Sequence, residues 1–140
     1  MDSLPTFHSD DIGKLILRVA VGGIMLFHGV WKMMHGIGWL PPVLHMHGLP
    51  EFLAYGVFVA EVLAPLLLFA GWQTRLASLT IVIDMVMALL LVLRNDIVSV
   101  KQGGGGWGIE IEAFFLLAAV TLFFTGAGKY SISGGKGRWD

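Results

Sequence analysis

The sequence contains no cysteine and few charged residues. Its 140 residues include no Cys, and charged side chains make up only 14% of the chain. Without cysteine the chain has no disulfide, no thiol nucleophile and no thiolate ligand for a metal or an iron–sulfur cluster. Redox chemistry would therefore need a bound cofactor, a quinone or a partner subunit.

Basic residues are scarce as well. Nine Lys and Arg stand against ten Asp and Glu, which gives a net charge of −1. The chain has no Arg- or Lys-rich patch that would neutralise a phosphate backbone. Nucleic-acid binding is therefore excluded from the functional hypotheses.

Hydrophobic residues, by contrast, are abundant. They make up 56% of the chain, and the mean hydropathy is +0.77. Four apolar runs, 12–34, 51–70, 74–93 and 107–125, are long enough to cross about 30 Å of hydrocarbon as helices. The sequence predicts an all-α fold, an integral membrane four-helix bundle over residues 12–128. Residues 1–11 and 129–140 are predicted to be polar tails, the second one mobile beyond Ser133.

The polar connections predict the topology. The segment from His35 to Pro50 is long for a bundle loop and favours a short helix at the membrane interface. Four spans place both ends of the chain on one side. Basic residues are more numerous on that side (Lys14, Arg75, Lys129, Lys136, Arg138) than on the other (Lys32, Arg94, Lys101). The positive-inside rule therefore places both ends in the cytoplasm.

Three charged residues lie deep inside the apolar runs, well away from the span ends. Glu61 and Asp84 each lie about ten residues from a span end, which places them roughly 15 Å deep, and the side chain of Arg18 reaches a similar level. We predict a cluster of Arg18, Glu61 and Asp84 as the catalytic candidates. Two carboxylates beside one arginine are not expected to be ionised together in a dry core, so one can exchange a proton. The alternative is an ion-pair network that only orders the bundle.

A second polar group is predicted nearer the outer surface. His28 and Lys32 are one turn apart on one helix face, and Glu110 and Glu112 open the fourth span at a similar depth. His28, Lys32 and Glu112 are the candidate cofactor-binding residues. Together with the midplane cluster they would form one polar track.

Backbone features mark the first two spans. Gly22, Gly29 and Gly36 recur every seven residues, a pattern that favours close helix approach. Pro65 lies one turn after Glu61, where it is expected to kink the helix and free a carbonyl group.

The His45-Met46-His47 segment offers imidazole and thioether groups of the kind that bind copper. Such a pattern is common in solvated interfacial loops. We favour that interpretation and assign no metal site.

Several segments together are typical of one known family. They are Leu17-Arg18-Val19-Ala20-Val21-Gly22, Phe27-His28-Gly29-Val30-Trp31-Lys32, Glu61, Thr74-Arg75-Leu76-Ala77 and Gly126-Ala127-Gly128-Lys129-Tyr130-Ser131-Ile132. In their order and spacing the chain resembles the DoxX/DoxD family of small four-helix membrane proteins, and the resemblance extends from Leu15 to Ser133. The chain departs from the family pattern at Ala127, commonly proline, and at Ser133, commonly aspartate.

The resemblance implies a four-helix membrane bundle and, for some members, a subunit of a thiosulfate:quinone oxidoreductase. The leading hypothesis is a quinone-linked oxidoreductase subunit in the cytoplasmic (inner) membrane of a prokaryote. Glu61 or Asp84 would handle protons, Arg18 would stabilise a reduced anionic head group, and His28 with Lys32 would bind a quinone carbonyl. The alternatives are a non-catalytic anchor for a soluble redox enzyme and a small proton-coupled transporter. The expected partners are the lipid bilayer, a soluble redox subunit and further copies of the chain.

Overall fold

The computed structural model describes residues 9–140, and this part of the chain is helical without a β-strand. Residues 1–8 of the predicted N-terminal tail lie outside the described part of the chain. Four long helices pack as a bundle, so the predicted all-α fold is confirmed. The helices are α1 (Ser9–His35), α2 (Leu40–Met46), α3 (Glu51–Ala70), α4 (Thr74–Leu91) and α5 (Glu110–Thr125).

Three of the helices, α1, α3 and α4, are long and apolar enough to cross a membrane. Helix α5 has 16 residues and is about 24 Å long. Large apolar side chains point outward, including Phe27, which is 80% exposed, and Phe114, which is 69% exposed. An outer surface of this kind suits hydrocarbon, so the chain is a membrane protein.

The fourth helix begins later than the apolar run predicts. The run starts at Trp107, but the helix starts at Glu110. Trp107 belongs to the preceding loop, where it pairs with Val100 and donates its indole N–H to the carbonyl of Ile97 at 2.6 Å. Apolar composition alone does not separate such a loop anchor from the first turn of a helix.

The predicted short helix in the first long connection is confirmed as α2. Gly36 and Gly48 flank it with φ values of +82° and +72°, a backbone conformation that glycine adopts without steric cost. Leu44 of α2 is buried against Ala54 and Val57 of α3. The helix therefore covers one end of the bundle.

Helices α1 and α3 approach closely where two of the three periodic glycines lie. A Cβ atom at Gly22 would lie 3.0 Å from the carbonyl oxygen of Pro65, and one at Gly29 would lie 2.6 Å from the carbonyl carbon of Glu61. Gly36 instead follows the end of α1 and has open space around it. The small-residue interpretation is correct for Gly22 and Gly29.

Helix α3 contains one π-helical turn, Val59–Leu63, around Glu61. The N–H of Ala64 bonds to the carbonyl of Val59, five residues back, where an α-helix would use a residue four back. Pro65 has no N–H for the carbonyl of Glu61, so a regular α-helical bond is missing at this position. The predicted disruption of the helix next to Pro65 is therefore present, as a π-helical turn.

The C-terminal segment packs onto the bundle, so the prediction of a mobile tail beyond Ser133 was wrong. The hydroxyl of Ser133 donates to the carbonyl of Gly71 at 3.2 Å, and Asp140 Oδ1 accepts the N–H of Thr74 at 3.1 Å. Arg75 Nε donates to the main-chain oxygen of Asp140 at 3.1 Å. Helix ends carry unsatisfied backbone groups, and the polar tail satisfies those at the α3–α4 turn.

The start of α1 lies at the same end of the bundle as this tail. The backbone N–H of Lys129 donates to Asp11 Oδ1 at 3.0 Å. The two ends of the described chain and the α3–α4 turn therefore lie on one side, and α2 and the α4–α5 loop lie on the other.

Candidate ligand site in the helical bundle

Glu61 lies in the interior of the bundle with its carboxylate half-satisfied. The residue is only 4% exposed. Its Oε1 atom accepts a hydrogen bond from Lys32 Nζ at 2.5 Å, whereas its Oε2 atom is buried and has no hydrogen-bond partner among residues 9–140. Buried polar atoms are usually paired, so an unpaired carboxylate oxygen is typical of a site that receives a ligand or a proton.

Gly29 explains how Lys32 reaches Glu61. Because Gly29 has no side chain, α1 contacts the backbone of α3 at Glu61 itself. Lys32 follows three residues later, on the same face of α1. Its ammonium group is thereby directed into the bundle, and the exposed fraction of its side chain falls to 19%.

Asp84 extends from α4 toward the same pair. It is partly buried and lies close enough to Glu61 and Lys32 to interact electrostatically with both. The structure thus brings together the two carboxylates that the sequence placed at one depth. Their cationic neighbour is Lys32, which the sequence placed with His28 and Glu112 in the outer polar group.

These three side chains line a cavity of about 460 Å³ between α2, α3 and α4. The rest of its wall is almost entirely apolar. It includes Trp39, Leu40, Leu44, Val57, Ile83 and Met87. A cavity with apolar walls and a few converging polar groups is the usual form of a small-molecule site.

Arg18 is not part of this site, in contrast to the predicted cluster. It lies 14 residues before Lys32 on α1, about 21 Å along the helix axis. Its guanidinium group lies against Gly71 and donates from Nη2 to the carbonyl of Tyr130 at 2.6 Å. The depth estimate was reasonable, but the C-terminal segment provides a nearer acceptor. The catalytic role predicted for Arg18 has no support from this position.

The predicted outer group is also divided. His28 and Glu110 line a second cavity of about 860 Å³ between α1 and α5, where the His28 ring packs edge-on against Phe115 at 6.0 Å between centroids. Glu110 pairs with Lys101 at 3.4 Å rather than with Lys32. Glu112 is partly buried and lines neither cavity. The continuous polar track is therefore not formed.

The two histidines of the first connection have separate contacts. His45 Nδ1 lies 3.6 Å from Glu51 Oε1, and His47 Nδ1 lies 2.8 Å from the carbonyl of Val43. Within residues 9–140, the structure places no group of three or more His, Asp or Glu in a position to hold a metal ion.

The Lys32–Glu61 pair is the feature that sequence reasoning missed. The signal was present in Gly29, because a glycine on an approach face marks where a neighbouring helix comes close. Counting one turn onward from Gly29 leads to Lys32. The register against α3 that would make Glu61 its partner was not readable from one sequence.

Comparison with known proteins agrees with this architecture. Residues 13–94 match the DoxX family. A Bacillus subtilis (strain 168) protein named "Putative oxidoreductase CatD" is 32% identical over 85% of this chain and 83% of its own length. A Mycobacterium tuberculosis (strain ATCC 25618 / H37Rv) protein named "Uncharacterized membrane protein Rv3486" is 28% identical over 84% and 77%, respectively. No solved structure matches the chain significantly. A match over more than half of the chain, together with these relatives, shows that the chain belongs to the DoxX family.

Proposed function

We propose that this protein is the membrane subunit of a quinone-linked oxidoreductase and that its cavity at Lys32, Glu61 and Asp84 binds the quinone head group. The observation that carries the proposal is the carboxylate of Glu61, which is buried at the edge of an apolar cavity and whose Oε2 atom is not paired by any residue that the structure describes. The relative named as an oxidoreductase supports the reaction class.

The lining residues fit a quinone. A quinone has two carbonyl acceptors on a ring and, in membranes, an apolar tail. An ammonium group has three donors, of which Lys32 uses one on Glu61, so it retains donors for a carbonyl oxygen. The apolar walls from α2, α3 and α4 provide surface for the ring and the tail.

Each polar residue has a distinct role in this proposal. A bound quinone would supply two-electron chemistry coupled to protons. Lys32 orients the head group, and Glu61 holds or accepts a proton at Oε2. Asp84 lies next to Glu61 and exchanges that proton with it. Electrons come from a soluble redox partner. Arg18 takes no part in this chemistry and stabilises the fold.

The His28 and Glu112 positions belong to a different part of the bundle. His28 faces the α1–α5 cavity, so contact with the same head group as Lys32 is not part of the proposal. Glu112 likewise lies outside the cavity at Glu61.

We place the protein in the cytoplasmic membrane of a prokaryote. The bundle end that carries the α3–α4 turn also carries most of the basic residues, and the positive-inside rule orients it toward the cytoplasm. In this orientation α5 serves as the fourth span. Lys32 lies near the opposite end of α1, so the cavity opens in the outer half of the bilayer.

The first experiment is native mass spectrometry of the protein gently extracted from its own membranes, recording bound quinone and companion subunits. We expect a retained quinone that is lost in Glu61→Gln. The matched control is Glu51→Gln, the same change ten residues earlier on α3 at a side chain that is 60% exposed. Loss of quinone in both variants, or in neither, would contradict a head-group role for Glu61.

The same mass-spectrometric measurement tests the alternative function, a non-catalytic membrane anchor for a soluble redox enzyme. The surface of α2 near His45 and His47 is exposed, as a docking surface for a soluble enzyme would be. A soluble redox enzyme retained without quinone, and unaffected by Glu61→Gln, would identify an anchor instead.

A further inference from the structure

We infer that the cavity at Lys32, Glu61 and Asp84 also binds lipophilic organic cations, such as hydrophobic amines and quaternary ammonium or phosphonium compounds, in exchange for a proton. This activity does not depend on quinone chemistry. It follows from the charge of the cavity and the character of its walls.

The acidic residues in the cavity outnumber the basic residue. Among the residues that the structure describes, the titratable ones that line the cavity are Lys32, Glu61 and Asp84, one residue each from α1, α3 and α4. The Lys32–Glu61 ion pair neutralises one carboxylate. Asp84 is then a second acidic group with no cation of its own. An unbalanced charge in apolar surroundings is costly, so the site holds either a proton or a cation.

The cavity suits an organic cation better than a divalent metal ion. Ca²⁺ requires six to eight oxygen ligands and Mg²⁺ a regular octahedron, and two carboxylates cannot provide either shell. No group of three or more metal-ligating acidic or histidine side chains occurs between Ser9 and Asp140. An organic cation needs no such shell. It needs a nearby anion and apolar contact, which Glu61 Oε2, Asp84 and the cavity walls provide.

The cavity is accessible from the lipid-facing side of the bundle. Val59 and Ile83 line the cavity and are also exposed on the outer surface of the bundle, 47% and 56%, respectively. This surface contacts lipid in the membrane-spanning part of the chain. A lipophilic cation dissolved in the bilayer therefore reaches the cavity sideways. Trp39 in the wall adds an aromatic face, which attracts organic cations.

Proton and cation occupy this site in alternation. When the cation binds, the proton that compensates Asp84 leaves for the solvent, and no bond of the ligand is made or broken. The net charge of the site stays constant in this exchange. Binding is therefore coupled to the release of one proton for each cation.

The test is calorimetry of tetraphenylphosphonium binding to the intact purified protein, with tetraphenylborate as an anion of the same shape. We expect tetraphenylphosphonium to bind at least about tenfold more tightly than tetraphenylborate. Its affinity should rise by up to about tenfold for each pH unit over the range in which the free site holds a proton. An indicator dye in weak buffer should report about one proton released for each bound cation.

Substitutions assign the binding to the carboxylates. Asp84→Asn should abolish cation binding. The separate variant Asp84→Glu, which keeps the charge, should still bind the cation. The matched control is Asp96→Asn, the same change at an exposed residue outside the cavity. Should Asp84→Asn fail to fold, Glu61→Gln against Glu51→Gln provides the same comparison.

Three results would overturn the inference: equal affinity for the two probes, binding without pH dependence or proton release, or full binding by Asp84→Asn. The result for cation binding is independent of the result for quinone retention, which tests the proposed function. A protein that retains quinone but ignores tetraphenylphosphonium refutes only the cation exchange. A protein that binds the cation and never retains quinone refutes only the oxidoreductase proposal.

Discussion

Gly29 has no room for a side chain, and replacing it by alanine tests the packing that builds the site. An added Cβ atom would overlap the carbonyl group of Glu61 and lie 2.7 Å from a methyl carbon of Val62. The carbonyl is part of the α3 backbone and cannot rotate away. The two helices must therefore separate at this level.

The size of the effect follows from the neighbouring glycines of α1. Overpacking a close-fitting interior costs about 1 to 3 kcal/mol, and alanine regains up to about 1 kcal/mol of helix propensity over glycine. Gly23→Ala places Cβ 3.5 Å from the Phe69 ring, which is ordinary contact, and Gly22→Ala places it 3.0 Å from the Pro65 carbonyl oxygen. We expect Gly23→Ala to be neutral or slightly stabilising. Gly22→Ala should be mildly destabilising, and Gly29→Ala should lose about 1 to 2 kcal/mol.

The assay is unfolding of the detergent-solubilised protein by sodium dodecyl sulfate, followed by circular dichroism, for all three variants. Gly29→Ala should also weaken ligand binding in the cavity, because separation of α1 from α3 withdraws Lys32 from Glu61. Gly23→Ala should bind like the wild type. If Gly29→Ala proved as stable as Gly23→Ala, the close contact between α1 and Glu61 would not exist and the account of the ion pair would be wrong.

Three further predictions concern the charged residues. Lys32→Met leaves the carboxylate of Glu61 without its cation, so we expect a loss of about 3 kcal/mol in unfolding free energy, and Lys32→Met with Glu61→Leu should recover most of it. Arg18→Gln weakens the contact with Tyr130 and should cost about 1 to 3 kcal/mol, yet ligand affinity in the cavity should stay within about twofold because the site is far away; a large loss of affinity with unchanged stability would contradict this. Asp140→Ala removes the acceptor for the first backbone N–H of α4 and should lower unfolding free energy by about 1 kcal/mol, whereas an unchanged unfolding midpoint would rule out the capping role.

The fold was largely predictable because hydrophobic length dominates it. The apolar runs gave the long helices to within a few residues, and the glycine spacing identified where α1 meets its neighbour. The start of α5 was predicted three residues too early, at Trp107, because a tryptophan can anchor a loop as well as begin an apolar helix. The C-terminal segment was misread because its composition is polar, and composition does not reveal that Asp140 bonds to a helix end 66 residues earlier.

The site was predictable in part for a different reason. Depth along a helix follows from counting residues, so Glu61 and Asp84 could be placed at one level. The direction in which each side chain points, and the register between helices, do not follow from counting. The prediction therefore gave Glu61 the wrong cationic partner. Arg18, the predicted partner, bonds to the C-terminal segment, and Lys32, which was assigned to the outer polar group, pairs with Glu61.

The π-helical turn at Val59–Leu63 has a consequence for how this chain tolerates length changes. Such a turn contains one residue more than a regular α-helix would use for the same rise. Deleting one residue there would restore regular winding and would leave the helix segments on either side in nearly the same relative orientation. Val57 would therefore still line the cavity, whereas the local backbone that directs the Glu61 carboxylate toward Lys32 would change. A one-residue deletion in this turn is thus expected to preserve the wall of the cavity and to disturb its charged base.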